Sequence, residues 1–192
     1  MDITATTLKD LKPRNRRIYN AVQKDAVTFL QHADRTGQSS TRVIVELAVG
    51  GGNSLHYHRD FEERFECMQG QLSLQVGKEI LTLRAGEKAV APPGVLHRFF
   101  NTTDEVCTFK VELVPGHTGF EQALMIGYGL ANDGQTNAQG IPINLQHLAV
   151  LVHLSGTVPA GPLGMLLPLF SMIAKGAIRK GVLDQLMQKY GI

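Results

Sequence analysis

The sequence predicts a mainly β protein, a small barrel or sandwich followed by C-terminal α-helices. Between about residues 17 and 115, short runs rich in β-branched and aromatic residues alternate with Gly, Pro and Asp turns. From about residue 119 onward, apolar residues recur at the spacing of a helix. The 192 residues, 43% of them hydrophobic, can bury a core without disulfide bonds. We therefore expect an N-terminal arm over 1–16, a barrel over 17–115 and a helical extension over 116–192.

The predicted strands follow one another at short intervals, as in a sandwich or barrel. The clearest runs cover residues 42–47, 64–68, 71–76, 80–83 and 106–114. Because side chains alternate along a strand, one face of the last run carries only apolar residues, namely Cys107, Phe109, Val111 and Leu113. Gly and Pro residues predict turns between the runs, notably at 50–52 and 92–94.

Four helices are predicted beyond the barrel. They cover residues 120–130, 142–154, 163–178 and 182–190. The Asn132-Asp133-Gly134 turn should end the first helix. Pro142 suits the first position of the second helix, where its missing N–H is not needed.

Residues 148–174 contain no Asp, Glu, Lys or Arg, so a membrane span has to be weighed. Pro159, Pro162 and Pro168 argue against one continuous helix. The stretch therefore predicts two short helices packed on the barrel or on a second subunit, with an interfacial membrane hairpin as the weaker alternative. Because so much uncharged surface tends to be covered, we expect a homodimer.

Charge and cysteine content narrow the class of protein. The formal net charge is +2, which gives no strong reason to expect nucleic acid or an anionic membrane as a partner. Cys67 and Cys107 fall in apolar strand runs and are expected to be reduced core residues. This use of cysteine, together with an N-terminal segment that lacks the apolar stretch of a secretory signal, favours a cytoplasmic protein.

Two segments carry histidine and glutamate residues whose side chains can meet inside the predicted barrel. His56 and His58 are two apart, so on a strand both imidazoles point to the same side. Glu63 is an odd number of residues further on, and a bend near Arg59 and Asp60 would be needed to bring it to that side. In the second segment, His97 follows a Pro-Pro-Gly turn and can point back into the barrel.

These two segments resemble the cupin family. The pattern G-x5-H-x-H-x3,4-E-x6-G is matched by Gly50, His56, His58, Glu63 and Gly70. The pattern G-x5-P-x-G-x2-H-x3-N is matched by Gly86, Pro92, Gly94, His97 and Asn101. The resemblance covers about residues 17–115 and identifies a single-domain cupin of the conserved-barrel type, with a C-terminal helical extension. It implies a double-stranded β-helix, or jelly-roll barrel.

The resemblance also implies one divalent metal ion held by His56, His58, Glu63 and His97. Glu62 competes with Glu63, because the first motif allows either spacing, but the six residues before Gly70 favour Glu63. Three imidazoles and a carboxylate suit Fe, Mn, Ni, Co, Cu or Zn. The remaining histidines lack such partners and are expected to be structural or exposed; they are His32, His117, His147 and His153.

Three functional hypotheses follow, because cupins serve many functions. The first is a small-molecule enzyme, an oxygenase resembling quercetin dioxygenase, with Glu63 doubling as a catalytic base. The second is a metal-dependent isomerase or lyase that works without O2. The third is a non-catalytic small-molecule-binding module whose helical tail serves dimerisation or a partner.

Overall fold

The protein's structure is a computed structural model that describes residues 16–33, 39–161 and 166–191. The strands are β1 (Arg17–Asn20), β2 (Asp25–Gln31), β3 (Thr41–Leu47), β4 (His56–His58), β5 (Glu62–Gln69), β6 (Gln71–Val76), β7 (Glu79–Arg84), β8 (Lys88–Ala91), β9 (His97–Phe100), β10 (Cys107–Val114) and β11 (Thr157–Pro159). The helices are α1 (Thr118–Asn132), α2 (Leu145–Ser155), α3 (Leu167–Arg179) and α4 (Val182–Tyr190).

The strands form two antiparallel sheets. One has the order β1-β2-β3-β10-β5-β8 and the other the order β11-β4-β9-β6-β7. Several neighbouring strands come from distant parts of the chain, as in a jelly roll; β10, for example, lies between β3 and β5. The predicted mainly β fold with C-terminal helices is confirmed.

The core lies between the sheets, and it follows from the alternation of side chains. Along β10, every second residue is buried, beginning with Cys107. Along β5, Glu63, Phe65 and Cys67 are buried whereas the residues between them are partly or fully exposed. Phe109 and Leu74, which come from different sheets, belong to the same buried cluster. Each large apolar side chain buried there contributes roughly 2 kcal/mol to stability.

Two of the helix predictions differ from the structure, and the predicted start of a third lies outside the described residues. Asn144 caps α2 by accepting hydrogen bonds from the backbone N–H groups of Gln146 and His147, so the helix begins after Asn144. The prediction that Pro142 starts this helix is wrong, because Pro142 forms an isolated β-bridge with Thr136. The predicted start of the third helix at Leu163 lies outside the described residues, and α3 begins at Leu167. The first helix extends to Asn132.

The C-terminal extension also contains a strand that sequence analysis missed. β11 pairs antiparallel with β4, with Thr157 opposite His58 and Pro159 opposite His56. Gly156 makes this turn possible, because it ends α2 in the left-handed region at a φ of 63°. Within 148–174 the two predicted short helices are present as parts of α2 and α3, and the unpredicted β11 lies between them. Among the described residues, none of the helices has the length and apolar character needed to cross a membrane.

Buried polar contacts fasten α1 to the barrel. The Tyr128 hydroxyl donates a hydrogen bond to Asp25 Oδ2 at 2.6 Å. Glu121 accepts from the Thr41 hydroxyl at 2.6 Å and from the Ala33 N–H at 2.7 Å. Asp25 Oδ1 has no partner among the described residues. Burial accordingly raises the pKa of Asp25 from 3.8 to about 6, although the bond from Tyr128 opposes the shift.

We predict that Asp25→Asn becomes more stable relative to the wild type as the pH rises. The folded wild type binds more protons than the unfolded chain between pH 3.8 and about 6, so its free energy of unfolding falls across that range. The amide introduced by the substitution carries no charge but can still accept from Tyr128. Urea denaturation measures the free energy of unfolding of both proteins at pH 4 and pH 8. From the lower to the higher pH, the value for the variant minus that for the wild type should rise by roughly 1–3 kcal/mol. An unchanged difference would show that Asp25 does not titrate with a raised pKa.

Candidate metal centre

The group of residues singled out by the sequence meets between the two sheets. β4 and β9 are neighbours in the five-stranded sheet, where His56 lies opposite His97. Glu63 comes from β5 in the other sheet. The chain bends at Arg59 and Asp60, as predicted, and this bend carries it from one sheet to the other.

The four side chains converge closely. One ligand atom from each of His56, His58, Glu63 and His97 lies within 4.8 Å of all the others. His97 Nε2 is 3.1 Å from Glu63 Oε2, and His58 Nε2 is 3.6 Å from Glu63 Oε1. His56 Nε2 is 3.1 Å from His58 Nε2. The structure thus brings together all four residues that the sequence proposed as ligands.

Glu62, the competitor for Glu63, lies outside this group. Its carboxylate accepts a hydrogen bond from Arg64 Nε at 2.7 Å on the outer face of the sheet. Glu63 is only 6% exposed, whereas Glu62 is partly exposed. Adjacent residues of one strand face opposite sides, so only one of these two carboxylates can turn inward.

Each imidazole is oriented through its Nδ1 atom. His56 Nδ1 lies 2.7 Å from the Ser54 carbonyl oxygen, and His97 Nδ1 lies 2.9 Å from the Val95 carbonyl oxygen. His58 Nδ1 lies 3.2 Å from the Thr157 hydroxyl of β11. Partners of this kind fix the ring and leave Nε2 for a metal ion.

Thr157 is a functional residue that sequence analysis did not find. It lies 99 residues from His58 in the chain, and no local motif marks it. Only the pairing of β11 with β4 brings the two side chains together.

The hydrogen-bond pattern fits a cation between the side chains. Because Nδ1 of His97 can only donate to a carbonyl oxygen, Nε2 of the neutral ring carries a lone pair. That lone pair would face the Glu63 carboxylate at 3.1 Å, which is unfavourable unless positive charge lies between them. A proton on His97 or a metal ion can provide it. Three imidazole nitrogens and one carboxylate are donors that suit a divalent transition metal.

Burial and mutual charge shift the pKa values of the group. Burial lowers the pKa of His56 to about 4 and that of His58 to about 3, although the Glu63 charge opposes both shifts. Burial alone would raise the pKa of Glu63, but the nearby His58 and His97 outweigh it and bring it to about 2. Burial alone would likewise lower the pKa of His97, but the hydrogen bond with Glu63 and its charge raise it. At neutral pH the site therefore offers two neutral imidazoles and an ionised carboxylate, the forms that metals bind.

A cavity of about 260 Å³ opens onto this group and contacts His56, His58 and Glu63. Its inner wall comes from barrel strands and includes Phe65 and Phe99. Its outer wall is formed by α1 and α2 of the C-terminal extension. The helices thus cover one side of the space beside the candidate metal centre.

The other histidines lie apart from the group. His32 contacts Glu121 at 2.7 Å, and His117 caps α1 by accepting from the Phe120 N–H. His147 lies in the first turn of α2, and His153 is exposed.

Comparison with known proteins places the barrel in a family. Residues 43–114 match the family model described as a cupin domain, which confirms the resemblance seen in the sequence. The sequence has no significant match among curated proteins.

Several solved structures are similar over about half of this chain. KdgF from Halomonas sp. is 17% identical, with 48% of this chain and 79% of that chain covered and a TM-score of 0.42. The cupin domain of an XRE family transcriptional regulator from Enterobacter cloacae is 20% identical, with 47% of this chain and 96% of that chain covered and a TM-score of 0.43. A sugar phosphate isomerase of the cupin superfamily from Silicibacter pomeroyi is 26% identical, with 52% of this chain and 70% of that chain covered and a TM-score of 0.45.

We predict that Thr157→Val weakens metal binding about tenfold or more, because His58 loses the hydroxyl that orients its ring. Val keeps the branched shape that suits β11. Thr157→Ser is the matched control, since it retains the hydroxyl and should bind nearly as the wild type does. The Zn²⁺ affinities of the wild type and the two variants are measured by letting each metal-free protein compete with a coloured chelator for the ion. Equal affinities would show that Thr157 does not hold His58 in place.

Proposed function

We propose that this chain, which carries a cupin domain over residues 43–114, is a small-molecule metalloenzyme of the dioxygenase type. His56, His58, Glu63 and His97 would hold one divalent transition-metal ion. The observation that carries the proposal is the convergence of three oriented imidazoles and one buried carboxylate beside a largely apolar cavity. Four protein ligands leave one or two positions of a five- or six-coordinate ion free for a substrate.

Several chain residues would support binding of the ion. Ser54 and Val95 hold two of the rings through their carbonyl oxygens, and Thr157 holds the third. When bound, the ion supplies Lewis acidity and, if it is redox-active, one-electron chemistry. The donor set suits Fe, Mn, Ni, Co, Cu and Zn alike.

Glu63 is also the proposed proton acceptor. It is the only acidic side chain among the described residues that line the cavity. Its pKa of about 2 makes it a weak base. The proposal therefore requires a substrate whose proton is itself acidified, as it would be beside a metal ion.

Two alternatives use the same site differently. A metal-dependent isomerase or lyase would need the ion and Glu63 but no O2. A non-catalytic binding module would hold metal and ligand without turnover. The homodimer and the cytoplasmic location stay predictions. The exposed Leu169 and Met172 on α3 support the homodimer. The buried free thiols of Cys67 and Cys107 support the cytoplasmic location.

We predict about one transition-metal ion per chain in protein purified without chelator, measured by elemental analysis. His97→Ala should lose it, because one of the four ligands is removed. Glu63→Ala should lower the metal content strongly, whereas Glu62→Ala, the matched control on the outer face, should leave it unchanged. Equal content in the two Glu variants would contradict the ligand assignment. Absence of metal from the wild type, even after reconstitution, would favour the binding module.

We predict substrate-dependent oxygen uptake by the iron-loaded protein when small phenols, catechols and 1,3-diketones are screened in an oxygen electrode. The His97→Ala protein serves as the control and should consume no oxygen above background. Product formation that continues unchanged under argon would point to the isomerase or lyase instead. Tightly held metal with no turnover of any compound would contradict the enzyme proposal.

A further inference from the structure

We infer that the molecule bound in the cavity is compact, largely apolar and free of phosphate or sulfate groups, and that Gly127 on α1 sets its size. The inference rests on the proposed function, since it describes the ligand of the same site. It depends on the charge of the cavity wall, on the hydrogen bonds already made there and on the space beside Gly127.

The cavity wall offers no cation for an anionic ligand. The described residues that line it include no Lys, Arg or Asp, and Glu63 is their only charged side chain. A phosphate or sulfate is bound in proteins mainly by Arg, Lys and helix N-termini. Away from the candidate metal centre, an anionic group in this cavity would lose its water without a matching partner.

Most polar groups of the wall already bond within the protein. Asn20 Oδ1 accepts from two backbone N–H groups, and Asn53 Oδ1 accepts from the Phe99 N–H. The Ser54 and Ser155 hydroxyls donate to carbonyl oxygens. A ligand rich in hydroxyl groups, such as a sugar, could use these groups only by competing with bonds that the protein already makes.

The rest of the wall is apolar. Phe65, Phe99, Phe120, Leu124, Leu151 and Val152 contribute to it. An engineered cavity of about 150 Å³ in another protein holds a benzene ring. In proportion, the cavity of about 260 Å³ holds roughly ten non-hydrogen atoms. One oxygen atom of such a molecule can reach the candidate metal centre while its body lies against the apolar wall.

Gly127 lines the cavity from the middle of α1. A Cβ built on it would meet nothing within 4 Å, and its φ is negative, so neither crowding nor backbone conformation requires glycine there. Gly129, two residues later, differs, because a Cβ there would lie 2.1 Å from Tyr190. Glycine is among the least favourable residues inside a helix. The missing side chain at 127 instead keeps room for a ligand.

Binding of 2-naphthol, a neutral molecule of roughly the right size, tests the inference by titration calorimetry of the chelator-treated protein. We expect 2-naphthol to bind at least about tenfold more tightly than 2-naphthyl phosphate, which adds only the anionic group. Equal or tighter binding of the phosphate would overturn the ligand class.

Gly127→Leu should weaken 2-naphthol binding about tenfold or more. Its affinity for phenol, a smaller probe, should stay within about twofold of the wild-type affinity. Gly127→Ala should show a smaller loss and, as a better helix former, should fold at least as well. Gly176→Leu is the matched control, because Gly176 also lies within a helix with nothing within 4 Å of its Cβ but does not line the cavity. Unchanged 2-naphthol binding in Gly127→Leu, or an equal loss in Gly176→Leu, would overturn the role of Gly127.

These titrations are independent of the metal analysis. Tight 2-naphthol binding by a protein that never takes up metal would overturn the metalloenzyme proposal and support the ligand class. Retained metal with no preference for 2-naphthol would overturn the ligand class and leave the metal centre in place.

Discussion

The pairing of β11 with β4 is the contact on which the candidate site depends. β4 carries two of the four proposed ligands, yet it shares only the His56–His97 pair with β9. β11 pairs with all three residues of β4. A short strand gains most of its definition from its neighbours, since isolated pairs of strands are marginal in water. The strand that positions His56 and His58 is therefore held largely by the C-terminal extension.

The electrostatics of the site follow from packing one carboxylate among three imidazoles in a buried space. Burial alone disfavours a charged Glu63, but His58 and His97 keep its pKa low. Burial keeps His56 and His58 neutral, and the carbonyl oxygens beside His56 and His97 orient their lone pairs inward. The result is a cluster of donor atoms around one ionised carboxylate, a group that favours a cation by charge and by geometry alike.

The helices give this cluster an environment that the barrel alone would not. α1 is fastened to the barrel through Tyr128 and Glu121, and it forms the outer wall of the cavity together with α2. α4 in turn packs against α1, where Tyr190 lies over Gly129 and donates to Asp133 at 2.7 Å. The extension thus covers part of the space beside the candidate centre and reduces its contact with water. Exclusion of water strengthens every polar interaction within such a site.

Local patterns were enough to predict the barrel, and the resemblance carried by two local motifs implied the four proposed ligands. Alternation along β5 and β10 follows from a period of two residues, and in the structure it turns Glu63 inward and Glu62 outward. The spacing of His56, His58 and Glu63 follows from one strand, one bend and the next strand, all within eight residues. These features depend on neighbours in the chain, so the sequence by itself determined them.

The tertiary structure alone decided the surroundings of the site. Thr157 meets His58 across 99 residues, and a three-residue strand leaves almost no periodic signal within an apolar stretch. Pro142 satisfied the local rule for a helix start, but Asn144 provided the better cap two residues later. The open space beside Gly127 exists only because α1 lies across the barrel. Such contacts join residues far apart in the chain, and their energies come from packing and burial that no short window of sequence contains.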